Sequence, residues 1–390
     1  MPTSDSDPAP ADAPARTDGP APEQPVAAEV IQAALNALAS GKVVALPTET
    51  VYGLAVRADQ EGALARLQSL CQREGQPLTW TLPDVRDTAA ETARQAALPA
   101  VTQRLAQRYW PGPLTLVLQG PLENGGFDGA EALAHEGWTG LRTPALGATS
   151  EILGASEFPV AMTQAAIAGA AGATTPEAVR ASFHEDDVAL VVDAGPAALG
   201  APSSVLAVGP GRFEMIREGI VAEEDLRRTA GLSILFVCTG NTCRSPMAEA
   251  LARTAIRRAL EGAAGAKGEA IDEAQFGFQI ASAGVYAGVG APASENSVAV
   301  LRDRGIDLTG HQSRPAIDRE VAMADRVYCL TRSHRAALLD MLPPSAADSV
   351  DLLDPEGRDV PDPFGGPLEV YRATAEVIEA FIEARLPSWV

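Results

Sequence analysis

The stretch VCTGNTCRSPMAE, residues 237–249, decides how the chain is read. It follows the apolar run SILFV (233–237) and leads into PMAEALARTAIRRAL (246–260), which is patterned as a helix. The order is strand, tight loop, helix N-terminus. Cys238 opens the loop and Arg244 lies six positions later. Backbone N–H groups at a helix N-terminus point inward and the helix dipole adds positive potential, so such a loop suits a dianion. Gly240 can take the left-handed turn the loop needs, and Asn241 tolerates that conformation better than most residues. Arg244 offers a planar fork that fits a phosphate bidentately. The same field lowers a thiol pKa, to roughly 3.5–7.5 against about 8.5 for a free cysteine. Cys238 therefore reads as a thiolate nucleophile aimed at phosphorus. Ser245 is placed to donate a hydrogen bond to its sulfur.

Composition sets the frame around that loop. At 390 residues two domains are the natural expectation, and a hydrophobic fraction of 46% lets each bury a core. No run of 18 apolar residues appears, so no membrane span is expected. Residues 1–25 are Pro, Ala, Asp and Ser-rich and read as a disordered tail. They lack the basic-then-apolar order of a signal peptide, and the expected location is the cytoplasm. Four cysteines, two of them in the loop, fit a reducing compartment. Net charge is −21; lysine occurs only at Lys42 and Lys267. That balance argues against extensive nucleic-acid binding, though not against a local basic groove.

The C-terminal half alternates strands and helices. GFQIASAGVYAGVG (277–290), DRVYCLT (325–331) and DSVDLL (348–353) read as strand regions. SENSVAVLRDRG (294–305), SHRAALLDML (333–342) and LEVYRATAEVIEAFIEARL (368–386) read as helices. Such alternation implies a parallel sheet covered on both faces, with the cradle at a strand's C-terminal end, where these sheets bind ligands. In the N-terminal half VAAEVIQAALNALAS (26–40) is a helix with Gly41 as its C-cap. KVVALPTETVYGLAV (42–56) is strand, turn and a second apolar run, and EEDLRR (223–228) a closing helix. The expected division is 26–228, a linker at 229–232, then 233–390.

CTGNTCRSPMAE in its strand–loop–helix context resembles the phosphate loop of the low-molecular-weight protein phosphatases, and DVPDPFGG (359–366) resembles the loop that carries that family's general acid. The resemblance implies a three-layer α/β fold and a cofactor-free phosphatase acting on phosphorylated proteins through a phosphocysteine. Cys238 would be the nucleophile, Arg244 the phosphate clamp and Asp362 the acid, then base. Thr239, Gly240, Asn241, Thr242, Cys243 and Ser245 would line the cradle, with Phe364 beside it. Three substrate readings compete. Arsenate reduction would require two further cysteines close together downstream, and only Cys329 follows, inside an apolar strand. Phosphotyrosine enzymes of the family usually carry a bulkier aliphatic than Thr242 and aromatic residues after Asp-Pro. The arginine-phosphatase branch has threonine before the second loop cysteine, and here Phe364 is followed by Gly365 and Gly366. Cys243 is also a candidate to trap an oxidised Cys238 as a disulfide.

PTETVYGL (47–54), WPGPLTLVL (110–118), GLRTP (140–144), DAG (193–195) with PSSV (202–205), and IREG (216–219) occur in an order that resembles the YrdC/Sua5 domain. That resemblance implies a twisted α/β sheet domain that makes threonylcarbamoyl-adenylate from threonine, bicarbonate and ATP for tRNA modification. Thr48, Thr50, Tyr52, Arg73, Arg142 and Ser204 are its expected pocket residues. The departures fall on the ATP phosphates and their magnesium. Cys71 stands at the family's lysine, and Gln164 and Ala166 stand at the serine and asparagine of its S-x-N motif. A thiol and a methyl group cannot replace an ammonium and a metal-side amide. A degenerate, ligand- or nucleotide-binding domain is the expectation, with ATP and magnesium relevant only if the domain is active. The alternatives are a bifunctional enzyme and a non-catalytic phospho-ligand sensor.

Overall fold

The computed structural model describes residues 24–73, 76–83, 98–119, 130–209, 212–261, 272–342 and 348–390. The expected disordered tail up to residue 23, Glu74, Gly75 and Lys267 lie outside the described residues.

The strand SILFVC forms β10 (Ser233–Cys238) at the centre of a four-stranded sheet with β11 (Gln279–Gly284), β12 (Arg326–Cys329) and β13 (Val350–Leu352). The order is β11-β10-β12-β13 and every pairing is parallel. Both faces of β10 are buried, which is why it reads as a continuous apolar run rather than an alternation. Ile234, Phe236 and Cys238 join the core beneath α7 (Arg244–Glu261), α8 (Glu295–Arg302) and α11 (Leu368–Arg385). Leu235 and Val237 face the opposite core, with Val321 of α9 (Asp318–Met323) and Leu338 of α10 (Arg332–Leu339). The result is three layers, helix–sheet–helix. Cys329 is fully buried in that second core, and burial pushes its thiol up to about 12. It is a core side chain, as expected of a cysteine in an apolar strand.

Among the described residues the N-terminal part is one nine-stranded mixed sheet, ordered β7-β1-β2-β6-β3-β5-β4-β8-β9. In chain order these are β1 (Val44–Leu46), β2 (Gly53–Arg57), β3 (Thr79–Thr81), β4 (Leu114–Gln119), β5 (Trp138–Arg142), β6 (Val160–Gln164), β7 (Leu190–Val191), β8 (Ser204–Gly209) and β9 (Arg212–Arg217). PTETVYGL starts just after β1 and runs into β2, and the two strands pair antiparallel. α1 (Ala28–Ala39) and α4 (Gly147–Ala155) cover one face through Ile31, Leu38 and Ile152. α2 (Glu61–Leu70), α3 (Ala100–Tyr109) and α5 (Pro176–Ser182) bury Leu67, Leu105 and Val179 in the other core. Gly41, at φ +71°, closes α1 as the C-cap reading expects.

The stretch expected as a linker, 229–232, is packed rather than loose. Thr229 and Ala230 form the last turn of α6 (Glu223–Ala230), and Ala230 and Leu232 are buried. Arg104 of α3 donates its Nε–H to the Ala230 carbonyl (2.8 Å) and an Nη2–H to the Trp389 carbonyl (2.9 Å). Trp389 is itself fully buried, against Phe236 and Tyr328 of the parallel sheet. Phe213 of β9 meets Phe276 edge-to-face at 5.7 Å. Phe276 is buried and Phe213 half-buried, so the two parts of the chain are joined by apolar packing as well as by the Arg104 hydrogen bonds.

Candidate active site

The loop 239–243 leaves β10 at Cys238 and enters α7 at Arg244, so nucleophile and clamp stand at the two ends of one tight turn. Cys238 is 3% exposed. Its Sγ lies 3.0 Å from Ser245 Oγ. That hydroxyl accepts from Asn241 Nδ2 (2.9 Å) and also lies 3.2 Å from the Ala283 carbonyl, so its single proton serves sulfur or carbonyl.

The left-handed residue of the loop is Asn241, at φ +53°; Gly240 is not among the positive-φ residues. Of the two residues read as able to take the turn it is Asn241 that does so, and the reason is in the hydrogen bonds. The Asn241 side chain is fully buried and saturated. Nδ2 donates to Ser245 and Ser282 Oγ, each at 2.9 Å, and Oδ1 accepts the Arg314 backbone N–H at 2.9 Å. Its carbonyl lies 2.7 Å from His311 Nε2. Those bonds offset the cost of a left-handed non-glycine residue. Ser282 in turn donates to Glu249 of α7 (2.7 Å). The network thus spans β10, β11 and α7. Close approach of β11 needs Gly284, where a Cβ would sit 2.5 Å from the Thr239 carbonyl oxygen.

Arg244 is 5% exposed. Its Nη2 donates to Asp362 Oδ2 (2.8 Å) and to Thr239 Oγ1 (3.4 Å), and Nη1 to the Val360 carbonyl (3.5 Å). Asp362 arrives on the loop before α11, and its other oxygen accepts the Phe364 N–H at 3.2 Å. The structure thereby brings Cys238, Arg244, Ser245 and Asp362 together across more than a hundred residues of chain. Thr242 is half-buried, and Cys243 is buried 3.5 Å from the Tyr371 hydroxyl. Phe364 is 79% exposed and Tyr286, whose N–H bonds the Thr239 carbonyl, is 78% exposed. Sequence reasoning did not single out Tyr286, Ser282, His311 or His334. His334 Nε2 lies 2.8 Å from Thr239 Oγ1. The only sequence signal for it was a histidine following Thr331 in a helix N-terminal pattern.

The N-terminal sheet encloses a cavity of about 430 Å³, lined among others by Thr48, Tyr52, Arg73, Arg142, Gln164 and Arg217. Thr50 and Ser204 are not in its lining. Thr50 is buried behind it, bonded to Thr48 (2.9 Å) and Arg142 (2.8 Å). Ser204 is a buried brace that donates to the Val221 carbonyl and accepts from Gly219 and Val221 N–H. Arg142 pairs with Glu49 at 2.6 Å, and Arg73 donates to Thr163 Oγ1 at 3.1 Å. Tyr52 is fully buried, donates to the Gly195 carbonyl (2.7 Å), and has its phenol pushed up to about 12 by burial. Arg217, within IREG but not singled out by itself, donates to Ser203 and to Gln164 Oε1 (3.4 Å). Burial, then Arg142 and Arg73, lower its pKa. Cys71 caps α2, fully buried, with its thiol pushed up to about 11 by burial.

A family model described as Low molecular weight phosphotyrosine protein phosphatase matches residues 233–387, and the Sua5_yciO_yrdC model, described as Telomere recombination, matches residues 36–219. The C-terminal part is similar to a protein-arginine-phosphatase of Geobacillus stearothermophilus, 34% identical over 154 residues, which are 38% of this chain and 90% of the relative. The N-terminal part is similar to a threonylcarbamoyl-AMP synthase of Pyrococcus abyssi, 29% identical over 208 residues, 52% of this chain. The chain spans 57% of the length of that relative. A threonylcarbamoyl-AMP synthase of Mus musculus is 31% identical over 212 residues, 52% of this chain and 71% of the relative.

Proposed function

Since the chain belongs to two families, the low-molecular-weight protein phosphatases over its C-terminal part and the Sua5/YrdC proteins over its N-terminal part, we propose that it dephosphorylates proteins through a phosphocysteine on Cys238. The observation that carries this reading is the convergence on one loop of Cys238 with Ser245 at 3.0 Å and of Arg244 with Asp362 at 2.8 Å. The thiolate attacks phosphorus; an S–P bond forms as the bond to the leaving oxygen or nitrogen breaks. Asp362 gives its proton to the leaving atom. The resulting carboxylate then takes a proton from the water that attacks phosphocysteine, releasing phosphate and the thiolate. Arg244 and the loop amides hold the equatorial oxygens where charge develops.

Phosphoarginine is the favoured substrate. Thr242, the single aromatic Phe364 before Gly365–Gly366, and the relative named protein-arginine-phosphatase support it. Phosphotyrosine is the second reading, favoured by the exposed rings of Tyr286 and Phe364 on segments bonded to the cradle and to Asp362. The test is kcat/KM of the full chain on matched phosphoarginine and phosphotyrosine peptides. Higher efficiency on phosphotyrosine would reverse the assignment. No described helix is long and apolar enough to cross a membrane, and the proposed substrates are cytoplasmic phosphoproteins.

For the N-terminal part, magnesium-ATP is the ligand that the family implies, and the residues present do not fit it. Cys71 is a buried, neutral thiol where an ammonium is needed, Ala166 is a buried methyl, and Gln164 is engaged by Arg217. The proposed role is a small-ligand or nucleotide-binding domain without synthase turnover. Full-length protein given threonine, bicarbonate and magnesium-ATP is expected to release no pyrophosphate and form no adenylate. Synthesis at the rate of an intact family member would make it bifunctional.

A further inference from the structure

Besides Asp362, a second set of side chains meets Arg244. Thr239 Oγ1 accepts from Arg244 Nη2 at 3.4 Å and lies 2.8 Å from His334 Nε2. His334 Nδ1 lies 2.9 Å from Thr331 Oγ1. Thr331 also accepts the backbone N–H of His334 (3.4 Å) as the N-cap of α10, and lies 2.8 Å from Ser333 Oγ. One assignment gives each group a single role. Arg244 has no acceptor, so Thr239 offers it a lone pair and must send its own proton elsewhere. His334 Nε2 takes that proton, so the ring proton sits on Nδ1 and goes to Thr331. The opposite tautomer leaves the Thr239 hydroxyl proton with no partner among those contacts.

We propose that His334 is a positioning residue of the phosphatase site: as a neutral acceptor it fixes the Thr239 hydroxyl, and through it the edge of the Arg244 guanidinium that must face an incoming oxyanion. Arg244 has two competing uses, the Asp362 carboxylate at 2.8 Å and the phosphate. A fixed lone pair at Thr239 keeps the fork oriented when Asp362 is protonated for acid catalysis and lets go. The surroundings keep the imidazole neutral. It is 4% exposed, and burial first, then the Arg244 charge, lower its pKa to about 4, against opposing pulls from Asp362 and Asp359. A protonated ring would turn its Nε2–H on Thr239 and set a second cation beside Arg244.

The inference rests on the reading of Cys238 and Arg244 as catalytic, so Cys238→Ser is the control. The experiment uses the full chain with para-nitrophenyl phosphate as substrate and orthovanadate as the oxyanion probe. His334→Ala and Thr239→Val are each expected to lower kcat/KM and vanadate affinity together, by about tenfold, the worth of one hydrogen bond to a charged group. The double variant is expected to lose no more than either single one, because both break the same chain of contacts. His334→Gln, whose amide oxygen can accept from Thr239, is expected to recover most of the loss, whereas His334→Leu, which fills similar space without an acceptor, is not; equal recovery by both would overturn the proposal in favour of a space-filling role. Values for His334→Ala within twofold of the parent, or a double variant whose losses multiply to about a hundredfold, would overturn the proposal. Parent-like turnover by Cys238→Ser would instead overturn the site reading beneath it.

Discussion

Asn241 is where the loop can be perturbed with the clearest separation of causes. Replacing it by alanine leaves a left-handed residue without its compensating bonds, a cost of about 1–2 kcal/mol for the backbone alone. It also strands the Arg314 N–H that Oδ1 accepted at 2.9 Å, and a buried unpaired donor costs about 1–3 kcal/mol. The two hydroxyls served by Nδ2, on Ser245 and Ser282, lose a net contribution of about 1 kcal/mol each at most, because each keeps another partner. Asn241→Ala is therefore expected to destabilise the chain by on the order of 4 kcal/mol, a large share of a typical folding free energy. Asn241→Gly loses the same side chain but adopts φ +53° without strain, so it is expected to be more stable than the alanine variant by about 1 kcal/mol. Urea unfolding of the full chain gives the stabilities, and vanadate inhibition reports in parallel whether the cradle still closes. Both variants are expected to bind vanadate more weakly. An alanine variant as stable as the glycine variant would refute the backbone argument; parent-like vanadate affinity in both would refute the claim that this side chain shapes the cradle.

Asp362→Asn keeps the clamp and nucleophile but cannot donate a proton as an acid, so phosphoenzyme formation is expected to slow most on substrates with poor leaving groups. Rapid-quench rates across a leaving-group series check this, and an equal loss on every substrate would assign Asp362 to binding. His334 also makes stability depend on pH. Its folded pKa, about 4, lies below the ordinary value of 6.5, so the unfolded chain binds the extra proton between those values. The contribution is fully present above pH 6.5 and is lost as pH falls towards 4. His334→Gln is expected to flatten that part of the stability profile relative to the parent; an unchanged slope in urea titrations from pH 7 to 4 would contradict it.

How much of this was legible in the sequence depends on how local each feature is. β10, the loop and the start of α7 are contiguous, so Cys238, Arg244 and Ser245 were read from spacing and the strand–loop–helix order. Asp362 is distant in sequence and was reached only because its Asp-Pro loop resembled a known one. Gly240 and Asn241 both read as able to take the left-handed position. The chain turns at Asn241, where hydrogen bonds to Ser282 and Arg314, invisible in a linear reading, decide the matter. His334 escaped for a similar reason: a lone histidine in a helix N-terminal pattern carries no sign that Thr239, at the end of the neighbouring strand, lies 2.8 Å from its ring. In the N-terminal part, Arg217 went unremarked and Thr50 and Ser204 were expected in the cavity. Motif membership does not say which side chains of a motif face inward, and burial turned those two into braces. The stretch 229–232 reads as a linker, but Ala230 and Leu232 are apolar and the joint buries them.

The central claim is that phosphorus passes through Cys238. The direct measurement is intact-protein and peptide mass spectrometry of the full chain, acid-quenched within its first turnover of a phosphoarginine peptide, alongside Cys238→Ser. The account predicts one phosphoryl group on the peptide that contains Cys238 in the parent chain, decaying as free phosphate appears, and no turnover in Cys238→Ser. Phosphate released without any such adduct, or an adduct mapped to another residue with Cys238→Ser still turning over, would contradict it.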